Sequence, residues 1–411
     1  MSNARNLSNL LGTDTTIQTS DIADGAVTSA KIATGAAGID WSSSIQTSDF
    51  TAVAEKGYFV NSAGGAVTVT LPASPSQGDK LVIADYKGSA NSTNRITLAR
   101  NGSNIRGDAS DYNIVDSNVS VQVVYSDSTE GWIVTASSSD GVGGGFARFI
   151  NVGMVLIAGG GGGGGRYYGG GGGAGGMLEN ASLSLLSGAT YTATIGGGGG
   201  GGGANASGGA GDASSFVGTA VNQVAVGGGS GGQNPGAGGN GGSGGGASSG
   251  SAGTGTSGQG NNGGTASGGG GGGGGKGEAG NTDGNMAGGD GANPTVTGLT
   301  SLGPFAGGGA GAMNANIAYV IGQGGTGGGG NGAADYLGGA VQAVAGTANT
   351  GGGGGAGCWN ATPSGAGGGS GRCILILPTA DYTGTTTGSP TVTTSGSNTI
   401  ITFLSSGSYT A

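Results

Sequence analysis

Few side chains capable of directional chemistry occur in the C-terminal half of this 411-residue chain, and they interrupt runs of glycine. Arg166-Tyr-Tyr168, Pro304-Phe-Ala306, Asn314-Ala-Asn-Ile-Ala-Tyr319, Ala334-Asp-Tyr-Leu337 and Cys358-Trp-Asn360 supply rigid aromatics, most of them beside Arg, Asn or Asp. Tyrosine and tryptophan give large contact areas at little cost in rotamer entropy, and sugar or protein surfaces accept both their faces and their polar edges. Arg166, Tyr167, Tyr168, Phe305, Tyr319, Tyr336, Trp359 and Asn360 are therefore the candidate contacts for a surface receptor. A competing reading gives the same aromatics a structural role, as caps on the glycine segments or filling between copies of the chain.

Catalytic chemistry is poorly provided for. There is no histidine, which excludes Ser-His-Asp and Cys-His catalysis and the common zinc sites. Asp212, Glu278, Asp283, Asp290 and Asp335 are scattered through the glycine, and a glycosidase would need two of them as acid and nucleophile. Nothing in their spacing brings two together. Gly270 to Lys276 imitates a phosphate loop, but Gly277 stands where Ser or Thr must hold magnesium. Asp283-Gly-Asn285 and Gly288-Gly-Asp-Gly-Ala-Asn293 resemble calcium-binding turns without repeating. The expectation is a protein that is not an enzyme, with no catalytic residues, no cofactor and no assigned metal. Cys358 and Cys373 are expected to be isolated thiols, since the chain is read as made in a reducing cytosol.

Charged residues make up 8% of the chain, against roughly a quarter in ordinary globular proteins. A net charge of −9 with 12 thinly spread basic residues leaves no stripe to neutralise phosphates, so no nucleic-acid partner is expected. The longest apolar runs, Met154 to Ala158 and Ile374 to Leu377, fall far short of the ~20 residues that span a bilayer. The beginning, Met1-Ser-Asn-Ala-Arg5, has no apolar signal core. A soluble protein made in the cytoplasm is the expectation.

The elements that must position the candidates fall into four stretches. Residues 1–48 are polar, and Ile22, Val27 and Ile32 recur at steps of five. Such a ladder buries a core only if several copies wind together, so this is read as an attachment and trimerising arm, with a disordered arm as the alternative. Residues 49–140 carry short alternating runs, among them Gly57-Tyr-Phe-Val60, Ala66 to Leu71, Lys80 to Ala84, Val119 to Tyr125 and Gly131 to Thr135. These predict a small antiparallel β-sandwich or barrel, with Asn101-Gly102 as a hairpin turn. Residues 379–411 alternate again and predict a C-terminal hairpin or three-strand meander.

Between them, residues 145–378 hold most of the 110 glycines, with solid runs at 159–165, 169–173, 196–203, 268–275 and 351–355. Collagen is excluded, because it needs glycine at every third place and abundant proline. A flexible linker is the plain reading, since glycine loses the most backbone freedom on folding. The alternative is polyglycine-II: rods with three residues per turn, parallel and antiparallel, so close for want of Cβ atoms that amides bond carbonyls of neighbouring rods. Apolar strands such as Phe149 to Ala158, Tyr191 to Ile195 and Arg372 to Leu377 abut the glycine directly and favour one folded unit.

With these residues in view, the chain resembles bacteriophage tail-fibre proteins, especially those of marine and cyanobacterial hosts. Ile22 to Ile32 is similar to short segments of trimeric fibres, and Phe50 to Trp132 to a β module of such fibres. Val155-Leu-Ile-Ala-Gly-Gly160, Gly188 to Gly196, Gly211-Asp-Ala-Ser-Ser-Phe216 and Gly369 to Ile376 are similar to the glycine-rich domain near the ends of phage tail proteins. The chain also resembles the adhesins of T-even-like phages, in which loops between glycine rods select the receptor, but it departs from them in carrying its own N-terminal module. The resemblance implies a mainly β, homotrimeric virion fibre assembled in the host cytoplasm. Its N-terminus would join a tail, baseplate or adaptor protein, and its C-terminal half would touch a host polysaccharide or outer-membrane protein. A purely structural fibre or spacer remains the alternative, and an ice-binding protein is disfavoured because its faces would be flat and regular.

Overall fold

The computed structural model describes residues 38–138, 146–314, 321–336, 339–359 and 364–411. The ladder of Ile22, Val27 and Ile32 lies outside the described residues. The protein is nearly all β, and its only described helix is a 3-10 turn at Thr379–Asp381. Two compact units divide at Arg148 and Phe149.

The first unit is a sandwich of two five-stranded sheets, and no barrel closes. Its strands are β1 (Asp40–Trp41), β2 (Phe50–Thr51), β3 (Lys56–Val60), β4 (Val67–Thr70), β5 (Lys80–Asp85), β6 (Ile96–Ala99), β7 (Tyr112–Ile114), β8 (Ser120–Tyr125), β9 (Trp132–Ser138) and β10 (Phe146–Ala147). The sheet orders are β1-β3-β5-β8-β9 and β10-β7-β6-β4-β2. Alternate residues from both sheets, including Tyr58, Val69, Ile83, Leu98, Val121 and Trp132, meet in one core. The expected antiparallel pattern is only half right. β1, β3 and β5 are parallel, and so are β2, β4 and β6. The early turns hand the chain to the opposite sheet instead of folding it back, so neighbours within a sheet run the same way; antiparallel pairing enters with β6–β7 and β8–β9. Asn101 and Gly102 do turn, both at positive φ, but β6 pairs with a strand that begins at Tyr112, so the turn closes no tight hairpin.

The second unit joins a sandwich to the glycine. One sheet runs β12-β11-β19-β22-β21, from Met177–Leu186, Phe149–Ile157, Arg372–Pro378, Asn398–Phe403 and Thr391–Ser395. The other runs β15-β14-β13-β23-β20, from Val221–Ala225, Ser214–Gly218, Thr190–Thr194, Gly407–Thr410 and Thr386–Thr387. Every pairing in both is antiparallel. Three short strands, β16 (Met313–Asn314), β17 (Ala334–Tyr336) and β18 (Gly339–Val341), make a separate small sheet. Residues 379–411 form the expected hairpin β21–β22, but they are no separate domain: β22 pairs with β19, and β23 crosses to the other sheet to pair with β13. Met154, Leu156, Tyr191, Phe216, Leu375, Phe403 and Tyr409 fill the space between the sheets. The opposite face of the first sheet is also covered, because Val296, Leu299 and Phe305 fold back over Val155, Ile157, Ile374 and Ile376.

The rods continue these strands. β11 runs straight into 158–165, β13 into 196–203 and β15 into 226–233, while 169–176, 206–213 and 365–371 lead into β12, β14 and β19. Rod 158–165 shows the packing rule. Gly159, Gly162 and Gly165 donate to Asp212, Gly209 and Ala206; Gly160 and Gly163 to Gly369 and Ala366; Gly161 and Gly164 to Gly173 and Gly170. Its carbonyls accept in the same period of three, from Gly228 and Gly231, Gly199 and Gly202, and Gly354 and Gly357. One rod thus has six neighbours, antiparallel where it donates and parallel where it accepts, with every amide from 159 to 165 satisfied at 2.9–3.0 Å. This is the hydrogen-bonding pattern of polyglycine II. It demands glycine for steric reasons: a Cβ on Gly163 would sit inside the Gly355 carbonyl, and one on Gly162 inside that of Gly200.

Candidate functional site

Rods need turns, and turns at the rod ends away from the strands carry Arg166, Tyr167, Tyr168 and Trp359. Arg166 to Tyr168 joins rods 158–165 and 169–176, with Arg166 and Tyr167 both left-handed at φ 58° and 48°. Large side chains are rare in that region, and each costs on the order of 1–3 kcal/mol unless packing holds it. Packing does hold these. The Tyr167 ring lies against Trp359, with centroids 3.7 Å apart and planes inclined at 38°. The Arg166 guanidinium sits 5.1 Å from the Tyr167 centroid and 5.4 Å from that of Trp359, and it donates to Asn205 Oδ1. Three turns therefore converge, and the lattice explains why: rods 196–203 and 351–357, which carry Asn205 and Trp359 at their ends, are direct neighbours of rod 158–165. All four of Arg166, Tyr167, Tyr168 and Trp359 are half-buried, leaving part of each to solvent. The result is a cationic and aromatic cluster fixed to a stiff support, suited to binding a planar or polar surface group.

The other candidates divide. Phe305 is corrected: it is 3% exposed, packed in the apolar plug over β11 and β19 with the Arg372 guanidinium 4.5 Å above its ring, and it is not available to a receptor. Its neighbours Pro304 and Ala306 read like a loop, and only the fold reveals that this loop returns to the sheet. Tyr336 ends β17, while Tyr319 and Asn360 lie outside the described residues. Asn205 was not anticipated, because nothing local distinguishes it from the other polar residues in the glycine.

The carboxylates that sequence left scattered converge in part. Glu278, Asp283 and Asp290 place their oxygens within 4.8 Å of one another. Asp290 Oδ1 accepts the Thr326 amide at 2.6 Å and Glu278 Oε1 the Asp290 amide at 3.3 Å. Three such oxygens could hold a hard cation. Beside them lies a cavity of about 530 Å³ lined by Asp283, Asn285, Met286, Asp290, Met313, Ile321, Gln323 and glycines, with no aromatic ring among the described residues that line it.

Lys276, the pseudo-phosphate-loop lysine, is spent on structure. Its Nζ donates to Met177 O at 3.1 Å and Gly258 O at 2.7 Å, and burial lowers its pKa. Cys358 and Cys373 form no disulfide and are buried in different apolar clusters, as the sequence reading expected. Burial pushes the Cys373 thiol up to about 12, which makes it inert as a nucleophile. No helix among the described residues is long and apolar enough to cross a membrane.

A family model described as a glycine-rich domain matches residues 146–377, the span from the end of the first unit through the lattice to β19. No curated protein matches the chain.

Proposed function

The chain belongs to the glycine-rich domain family, and from that premise we propose that it is a non-enzymatic bacteriophage tail-fibre protein whose lattice tip recognises the host surface. The observation that carries the reading is the Arg166–Tyr167–Trp359 cluster, held by Asn205 on strained turns at the end of a rigid lattice. Rod interiors offer a partner nothing, since their amides and carbonyls are used on each other. Turns at the free end are where specificity would reside, as loops on rigid scaffolds generally carry binding. The fibre assignment rests on the resemblance of the N-terminal motif, the β module and the glycine-domain borders to phage fibres. It brings with it a homotrimer, attachment to a tail, baseplate or adaptor protein through the N-terminus, and a place in the virion. The absence of histidine from the sequence supports the non-enzymatic part.

The test is competition. Purified protein should block adsorption of a phage carrying this fibre to its host, and Tyr167→Ala with Trp359→Ala should weaken cell binding about 30-fold or more, the scale of aromatic hot spots, with the melting temperature retained. A double variant that binds like the parent removes the tip from the reading. No competition by the parent protein leaves the rigid-spacer alternative in its place, and release of glycan fragments from host envelopes would restore an enzyme.

A further inference from the structure

The basic residues of the second unit are Arg166, Lys276 and Arg372. Two of them are committed to the scaffold. Lys276 Nζ donates to the carbonyls of Met177 and Gly258, and Arg372 donates to the carbonyl of Asn349 while its guanidinium lies against the Phe305 ring. Arg166 is held differently. Its partners are the rings of Tyr167 and Trp359 and the Oδ1 of Asn205, all of them neutral. No ion pair and no further hydrogen bond to its guanidinium occurs among the described residues. The cation is therefore fixed in place, half-buried, with its charge uncompensated. Arginine does not shed that charge by losing a proton. Nor does the turn need it: at φ 58° Gly or Asn would adopt the left-handed backbone more readily, so an arginine kept there against strain marks a use beyond folding.

The chemistry of the group selects its ligand. A guanidinium only donates, in a planar fork. A sugar hydroxyl, which both gives and takes, uses half of what it offers to such a group. A carboxylate or phosphate only accepts, matches the fork with two oxygens and neutralises the charge. Tyr168, half-buried next to the cation in the chain, meets no other ring among the described residues, so its face is open to the apolar side of a pyranose. An acid carried on a sugar satisfies both features at once.

We propose that the tip reads an oxyanion, the carboxylate or phosphate of an acidic polysaccharide, through Arg166 oriented by Asn205. This rests on the host-recognition reading of the same cluster and names the group it recognises. The probes are polygalacturonate, which carries carboxylates, and a phosphomannan, each beside its neutral counterpart, the methyl ester and the dephosphorylated mannan. The full chain should bind one acidic polymer about 30-fold more tightly than its counterpart, the scale of a hydrogen-bonded charge pair. Which of the two it prefers separates carboxylate from phosphate. Arg166→Gln should erase the preference, and Arg166→Lys, a point charge without the fork, should keep only part of it. Because Arg166→Gln also disturbs the ring cluster, Asn205→Asp serves as a second variant. At an exposed position it sets a carboxylate against the guanidinium, and it should erase the preference with the melting temperature retained. A parent that prefers neither acidic polymer overturns the inference, as does a preference that survives both Arg166→Gln and Asn205→Asp. Blocked adsorption without acidic-polymer binding would remove the oxyanion site alone and leave the tip to a protein receptor. Acidic-polymer binding that both variants lose, without blocked adsorption, would keep the oxyanion site and remove the host-recognition reading.

Discussion

In the second unit the sheet β12-β11-β19-β22-β21 and the rods that grow out of it are stretches of the same chain made solid by different terms. Between β11 and β19 and the sheet opposite, Met154, Leu156, Phe216, Leu375 and Phe403 exclude water with side chains. One residue further along, from Ala158, side chains nearly vanish and exclusion is achieved by backbones so close that no Cβ fits between them. A side-chain core tolerates exchanges that keep volume and apolarity. The lattice tolerates none of that at its centre, yet it is indifferent to sequence wherever a rod turns a face outward. What the difference teaches is that the lattice draws its specificity from absence. A missing Cβ is needed where a neighbour's backbone or side chain stands close, most often a carbonyl.

The sharpest way to break the comparison is Gly163→Val. Its side chain would enter the space of the Gly355 carbonyl, and no rotamer relieves a backbone contact. Loss of about 4 kcal/mol or more is expected, above the usual range for overpacking, read as a lowered denaturation midpoint of the second unit. A midpoint within error of the parent would show that the rods can part. Next in size is Phe216→Ala in the fully buried sandwich core, expected to cost about 3–5 kcal/mol by leaving a cavity.

Alkaline titration separates the two regions again. Burial raises the Cys373 thiol from 9.0 to about 12 and holds Tyr191 and Tyr409 above their ordinary value, whereas the rods contain almost nothing that titrates. Above pH 9 the unfolded thiol loses its proton while the folded one keeps it, so the native state binds more protons and stability falls as pH rises from 9 toward 12. For the thiol the loss is on the order of 3–4 kcal/mol across that window. Cys373→Ala should flatten the decline in stability between pH 9 and 11; an unchanged slope would mean that the thiol is not shielded. The smallest effect is expected from Gly200→Ala, where a Cβ meets nothing within 4 Å. A shift within about 0.5 kcal/mol is expected, so a large loss would show that the outward face is covered.

Much of this was legible in the residues. Apolar runs beside glycine gave β11 and β19, alternation gave the hairpin β21–β22, and strands fused to glycine indicated rods that continue strands. The tip was legible in part: Arg166, Tyr167 and Trp359 are conspicuous as the few large side chains among glycines, but Asn205, 39 residues from Arg166, is not. Phe305 carried the same local signal as the tip aromatics and went to the core instead.

Composition and periodicity alone determined that the chain would be β at its borders, either slack or rod-like in its middle and without histidine chemistry, because these follow from what each residue permits its own backbone and side chain to do. Which rods are neighbours, which strands run parallel, which aromatic is core and which is surface were decided only by the tertiary structure. Those outcomes depend on hydrogen bonds and contacts between segments far apart in the chain, and glycine, identical at every position, carries no local mark of the partner it will meet.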